Sequence, residues 1–110
     1  MNLHRSRLRM LADIVESTRP SNFNMAHPGS CIAGTFFHGN SDWRLEDFAE
    51  FFGLSHRMAE DLLYPEDHTG AYDATPAQGA EVLRHLAATG NLDWHRAMQP
   101  EAPFIFLILI

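Results

Sequence analysis

Apolar residues recur at three- and four-residue spacing near the N-terminus, at Leu8, Leu11, Ile14 and Val15. That period puts them on one face of a helix. The helix is predicted over Leu3–Ser17, with Arg5 and Arg9 on its solvated side. Arg19-Pro20 closes it, because proline disfavours helical geometry in the residue before it. Residues 20–30 read as a loop containing Asn22, Asn24, Pro28 and Gly29. A second helix is predicted over Cys31–His38, capped by Ser30 and burying Ile32, Ala33, Phe36 and Phe37. Gly34 costs that helix about 1 kcal/mol relative to Ala, a cost explained if another backbone approaches closely there. Gly39 and Asn40 end it.

The aromatic face of Phe48, Phe51 and Phe52 marks a third helix over Trp43–Phe52, capped by Ser41 or Asp42 and stopped by Gly53. Ser55 starts a fourth over His56–Tyr64, turning Met58, Ala59, Leu62 and Leu63 inward, and Pro65 ends it. Residues 65–74 read as a polar loop. The clearest local signal is Thr75-Pro76-Ala77-Gln78, a capping box with proline at the first helical position. It opens a fifth helix that runs to about Thr89 and buries Ala80, Leu83, Leu86 and Ala87. Gly90 stops this helix, and Leu92 and Trp94 fold back as the hydrophobic contact that follows such a stop.

The pattern predicts a mainly α protein: a compact bundle of about five short helices with an apolar C-terminal tail. Residues 1–103 form a single helical domain, and Phe104–Ile110 form the tail. At 110 residues, 45% of them hydrophobic, one core is expected. No apolar run reaches the ~20 residues of a bilayer span. The arginines at positions 5, 7 and 9 precede no signal-peptide core. One cysteine, Cys31, makes no internal disulfide. A cytoplasmic chain without membrane attachment is the simplest reading.

Charge changes the picture. All eight basic residues are arginine. Between Asp42 and Asp73, nine acids oppose only Arg44 and Arg57, a balance of -7. Phosphate contacts need clustered positive charge, so the middle of the chain is not expected to touch nucleic acid directly. A helix-turn-helix is the alternative, because Gly53 joins two helices at suitable offsets. Its recognition helix, however, would turn Glu60 and Asp61 toward phosphates.

Two further chemistries centre on Cys31. At a helix start the dipole lowers a thiol pKa, and His27 or His38 is near enough in sequence to act as base. The alternative is a small buried hydrophobe. The same three residues, His27, Cys31 and His38, lack the paired spacing of zinc ligands. The acids of Asp67–Asp73 lack the alternation of a calcium loop. No metal or other cofactor is expected.

Several runs together resemble a family of small uncharacterised proteins of bacterial, prophage and phage genomes. They are Leu11-Ala12-Asp13, Cys31-Ile32-Ala33-Gly34, Gly53-Leu54-Ser55, Ala59 and Leu62-Leu63-Tyr64-Pro65. Ala74-Thr75-Pro76-Ala77-Gln78, Leu83, Ala87, Gly90 and Asp93-Trp94 complete the pattern. The resemblance spans Leu8 to Trp94 and stops at His95. It implies a helical fold and a phage or mobile-element context, and carries no activity with it.

In that context the acids Asp42, Glu46, Asp47, Glu50, Glu60, Asp61, Glu66 and Asp67 form a candidate binding surface. A fixed carboxylate array can occupy a basic groove built for nucleic acid, which is how anti-CRISPR proteins often block host complexes. The expected partner is therefore a protein, such as a host nucleic-acid-binding complex, and the expected action is inhibition without catalysis.

The tail, seven consecutive apolar residues from Phe104 to Ile110, is β-prone. At ~25 cal/mol per Å², covering half its surface is worth several kcal/mol. It is expected to pair as a single strand with a second copy, giving a homodimer, or to lie over the aromatic face of Phe48, Phe51 and Phe52. Deleting residues 104–110 should then lower the melting temperature or dissociate the dimer, read by calorimetry and light scattering. Unchanged size and stability would show that the tail contributes to neither.

Overall fold

The computed structural model describes residues 2–99, and the described residues fold as helices without a strand. They are α1 (Arg5–Glu16), α2 (Ile32–Phe36), α3 (Leu45–Phe52), α4 (His56–Leu63), α5 (Pro76–Thr89) and α6 (Trp94–Ala97). Two 3-10 segments, Pro20–Asn22 and Glu66–Asp73, lie where loops were predicted. The Phe104–Ile110 tail lies outside the described residues.

The closest packing joins α1 to α5. Leu8, Leu11, Ala12 and Val15 of α1 are buried, as are Ala80, Val82, Leu83, Leu86 and Ala87 of α5. The α1 stripe is one residue different from that expected. Ala12 is inside, and Ile14 is 38% exposed. A Cβ on Gly79 would stand 3.1 Å from Phe23 and 3.2 Å from Val15, so this glycine lets α1 and the 20–30 segment approach α5 closely.

Polar clamps hold the same pair. Arg84 of α5 reaches Asp13 and Glu16 of α1, each at 2.8 Å. Its hydrogen bond and charge hold the Glu16 carboxyl below the usual carboxylate range. Such a group adds stability above its ordinary pKa that is lost as pH falls through the lowered value. Arg5, expected to be merely solvated, donates to the Ala87 carbonyl, satisfying one of the acceptors that a helix end leaves open. Arg7 serves α3 likewise, donating to the Phe51 carbonyl at 2.9 Å with its guanidinium 4.3 Å from the Phe51 ring centroid.

Local chemistry fixes the helix ends. Thr75 and Gln78 form the full capping box, and Gly90 ends α5 in the left-handed region at φ 79°. Ser55 caps α4 through the Met58 N–H. Two predicted ends move. The cap of α2 is Cys31 itself, whose sulfur accepts from the Gly34 N–H, and not Ser30. Ser41 and Asp42 do not cap α3, which begins at Leu45 after Arg44. The turn before it is instead held by Asn40, which accepts from the Asp42 N–H at 2.7 Å. Beyond Gly90 the chain forms α6, capped by Asp93 through the Arg96 N–H at 2.9 Å. The Trp94 indole donates to the Leu62 carbonyl at 3.1 Å and anchors this short helix on the end of α4.

The aromatic face also divides. Phe48 and Phe52 are fully buried, whereas Phe51 is 37% exposed. Phe36 and Phe37 are only partly covered; Phe36 packs on Phe51 and Phe52 with centroids 5.4 and 5.1 Å apart.

Gly34 marks the tightest approach in α2. A Cβ there would lie 2.2 Å from the Pro28 carbonyl oxygen and 2.4 Å from the Gly29 carbonyl carbon. Both are backbone atoms and cannot swing aside. Gly34→Ala would gain about 1 kcal/mol of helix propensity against an overpacking cost of ~1–3 kcal/mol or more. The clash is with backbone, so the upper end applies and net destabilisation by about 2 kcal/mol is expected in urea unfolding. A neutral or stabilised variant would show that the 28–29 turn yields.

Candidate functional site

An open cleft of about 550 Å³ lies between α4, the start of the 66–73 segment and the Gly90–His95 connection. It forms because Pro65 ends α4 and turns the chain back, while Gly90 releases the chain from α5 toward the same place. Met58, Pro65, Leu92 and Trp94 supply its apolar wall. Asp61, Glu66, Asp67 and Asp93 supply carboxylates. Arg57 also lines it, but stands 3.5 Å from Asp61. His68 and His95 both line it, with ring centroids 5.5 Å apart. Among the described residues His68 Nδ1 is buried without a hydrogen-bond partner, tucked against its own turn beside Gly70.

Three of the eight predicted acids, Asp61, Glu66 and Asp67, therefore meet in one place. Asp42, Glu46, Asp47, Glu50 and Glu60 do not line the cleft; they stand exposed on the approach to α3, on α3 and on α4. Asp93, His68 and His95 were not anticipated. Asp93 had a sequence signal, since Asp three residues before Arg96 at the start of a helix is a cap. The histidines had none, because His68 and His95 meet only through the fold.

The ion pairs of the acidic middle are local. Arg44 stands 3.7 Å from Glu46, and His56 and Arg57 reach Glu60 and Asp61 one turn along α4. Among the described residues Asp42, Asp47, Glu50, Glu66 and Asp67 have no ion pair. By contrast, Asp13, Glu16 and Glu81 are bridged between helices by Arg84 and Arg96.

The helix-turn-helix alternative meets the same pattern. α3 and α4 do pack as neighbours around Gly53, at φ 71°. The two basic residues exposed on α4, His56 and Arg57, already face acids of their own helix.

Cys31 is 3% exposed. Its sulfur contacts the Pro28 carbonyl at 3.6 Å and accepts from the Gly34 N–H at 3.5 Å. Burial pushes the thiol pKa up, and this outweighs the lowering by backbone N–H groups. The lowered pKa expected at a helix start is thus reversed, because desolvation of the thiolate exceeds the pull of a five-residue helix. The His27 Nδ1 accepts from the Gly29 N–H at 3.2 Å. His38 is exposed at φ 58°, just past the end of α2. Among the described residues no three His, Cys, Asp or Glu side chains are grouped to hold a metal ion, neither around Cys31 nor along Asp67–Asp73. No described helix is long and apolar enough to cross a membrane.

Comparison of the chain with protein-family models, curated proteins and solved structures finds no match in any of the three.

A thiol held protonated reacts slowly. Iodoacetamide at about pH 8 should alkylate folded Cys31 at least ~10-fold more slowly than free cysteine, and at the free rate in guanidinium. Folded protein reacting as fast as free cysteine would restore the nucleophile reading.

Proposed function

We propose that this chain acts without catalysis, by binding a protein partner that presents a basic surface. The observation that carries the reading is the division of its ion pairs. Arginines tie down the acids at the α1–α5 and α5–α6 contacts. The carboxylates of Asp42, Asp47, Glu50, Glu66 and Asp67 are left exposed and unpaired among the described residues. Self-repulsion within such a stretch costs stability, and a cationic partner relieves it. The same field speeds the encounter and rejects acidic competitors.

The narrower form of the reading is a phage or mobile-element inhibitor of a host defence complex, comparable with anti-CRISPR proteins, that covers a groove meant for nucleic acid. The resemblance in the CIAG and TPAQ runs supports that context, and the carboxylate array supports the mode of action. Direct contact with nucleic acid is not part of the reading, because unpaired carboxylates repel phosphates.

The test is capture of a partner from a host lysate at about 50 mM salt, followed by surface plasmon resonance. Neutralising α3 with Glu46→Gln, Asp47→Asn and Glu50→Gln together should slow association about tenfold at low salt. At about 0.5 M salt, where charges are screened within a few ångströms, the variant and the parent should associate alike. A partner bound equally fast by both at low salt, or no partner together with a turnover activity, overturns the proposal. Mixing the protein with purified CRISPR effector complexes tests the narrower form, which fails if nuclease activity is unaffected.

A further inference from the structure

We infer that the cleft beside α4 is the seat of an arginine-bearing segment of the partner; this rests on the proposed function and localises it. The cleft has two chemically distinct sides. Met58, Pro65, Leu92 and Trp94 offer an apolar wall, and Asp61, Glu66, Asp67 and Asp93 offer carboxylates. Arginine has that same division, a three-carbon apolar stem below a planar cation. A carboxylate ligand is disfavoured by four acids against the single arginine, Arg57, and a purely apolar one would leave those carboxylates facing it.

Two of the four acids are already engaged. Asp61 faces Arg57 at 3.5 Å, and Asp93 caps α6 through the Arg96 N–H. Glu66 and Asp67 are adjacent, exposed and without an ion pair among the described residues. They are the acids free to accept a guanidinium, which donates two parallel hydrogen bonds to a carboxylate. The volume, about 550 Å³, falls within the ~300–1,000 Å³ range of ligand clefts. It therefore has room for a short segment.

The acids of α3 and those of the cleft then have separable duties. Exposed charges at a distance set the rate of encounter, and charges in contact set the lifetime of the complex. Glu46, Asp47 and Glu50 belong to the first group, Glu66 and Asp67 to the second.

The probe is a blocked peptide with two arginines flanking a leucine, titrated calorimetrically into the full chain at about 0.15 M salt. The double variant Glu66→Gln, Asp67→Asn should weaken it about tenfold, while the α3 triple variant changes its affinity less than about threefold. The same peptide with citrulline in place of arginine should lose affinity on the parent and not on the double variant. Far-UV circular dichroism confirms that both variants remain helical. Equal weakening by the two sets of substitutions overturns the cleft and leaves the wider basic-partner reading standing. No binding of the arginine peptide also overturns the cleft, and capture from lysate then judges the wider reading by itself. Tighter binding after deletion of residues 104–110, or a dimer that the double variant dissociates, overturns it too. The occupant would then be this chain's own tail or a second copy.

Discussion

The contact between α1 and α5 is the constraint on which the other elements depend. The two helices are first and last among the long ones, so their pairing closes the chain around everything between. Small residues set the distance: Ala12 on one side, Gly79, Ala80 and Ala87 on the other, all buried. The larger Leu8, Leu11, Val15, Leu83 and Leu86 then interlock without exposure. Apolar burial of this kind has no direction of its own, so polar groups at the margins supply the alignment. Arg84 fixes the far half of α1, and Arg5 meets the carbonyl end of α5. The N-terminal residues continue the same logic toward α3, where the His4 N–H donates to the Phe52 carbonyl at 3.1 Å.

With that pair in place, the middle of the chain is a layer whose inner side is determined and whose outer side is free. Phe48, Phe52, Leu62 and Leu63 are drawn inward by burial. The acids between them are forced outward by the same helical period, since a charged side chain at an inner position would lose its hydration without a partner. No charged side chain is buried among the described residues. The fold thus commits four of its eight arginines, Arg5, Arg7, Arg84 and Arg96, to helix ends and helix–helix bridges, and among the described residues the acids of the middle stretch have only local ion pairs. That distribution of ion pairs is the physical basis of the functional reading.

How much of this was legible depends on the range of each interaction. Periodicity in residues 5–16 and 76–89, the Thr75 capping box and the stops at Gly53 and Gly90 all act within one or two turns, and each is visible in a few adjacent residues. The caps of α2 and α3 were misread because Ser30, Ser41 and Asp42 are good capping residues in general. Which candidate wins depends on where the preceding turn delivers the chain. Here Trp43 donates to the Pro28 carbonyl at 2.7 Å and stacks on Tyr64 with centroids 6.5 Å apart, which holds it outside α3. The two readings of Cys31 divide for a related reason. A helix start predicts a lowered thiol pKa, but the sign is set by desolvation, and desolvation is the sum of everything packed around the sulfur.

The sequence by itself determined α1 to α5, most of their buried faces and the presence of a dense acidic stretch, because these follow from residue spacing and from composition. Tertiary structure alone decided that Ile14 and Phe51 stay partly exposed, that Gly34 lies against the backbone of Pro28 and Gly29, and that Cys31 is sealed. It also decided which acids act together. Asp61, Asp67 and Asp93 lie on three different segments, and only the turn at Pro65 and the release at Gly90 bring those segments to one cleft. A linear pattern records the charge of each residue but not which distant residue stands beside it, and that proximity is what makes three separate carboxylates one surface.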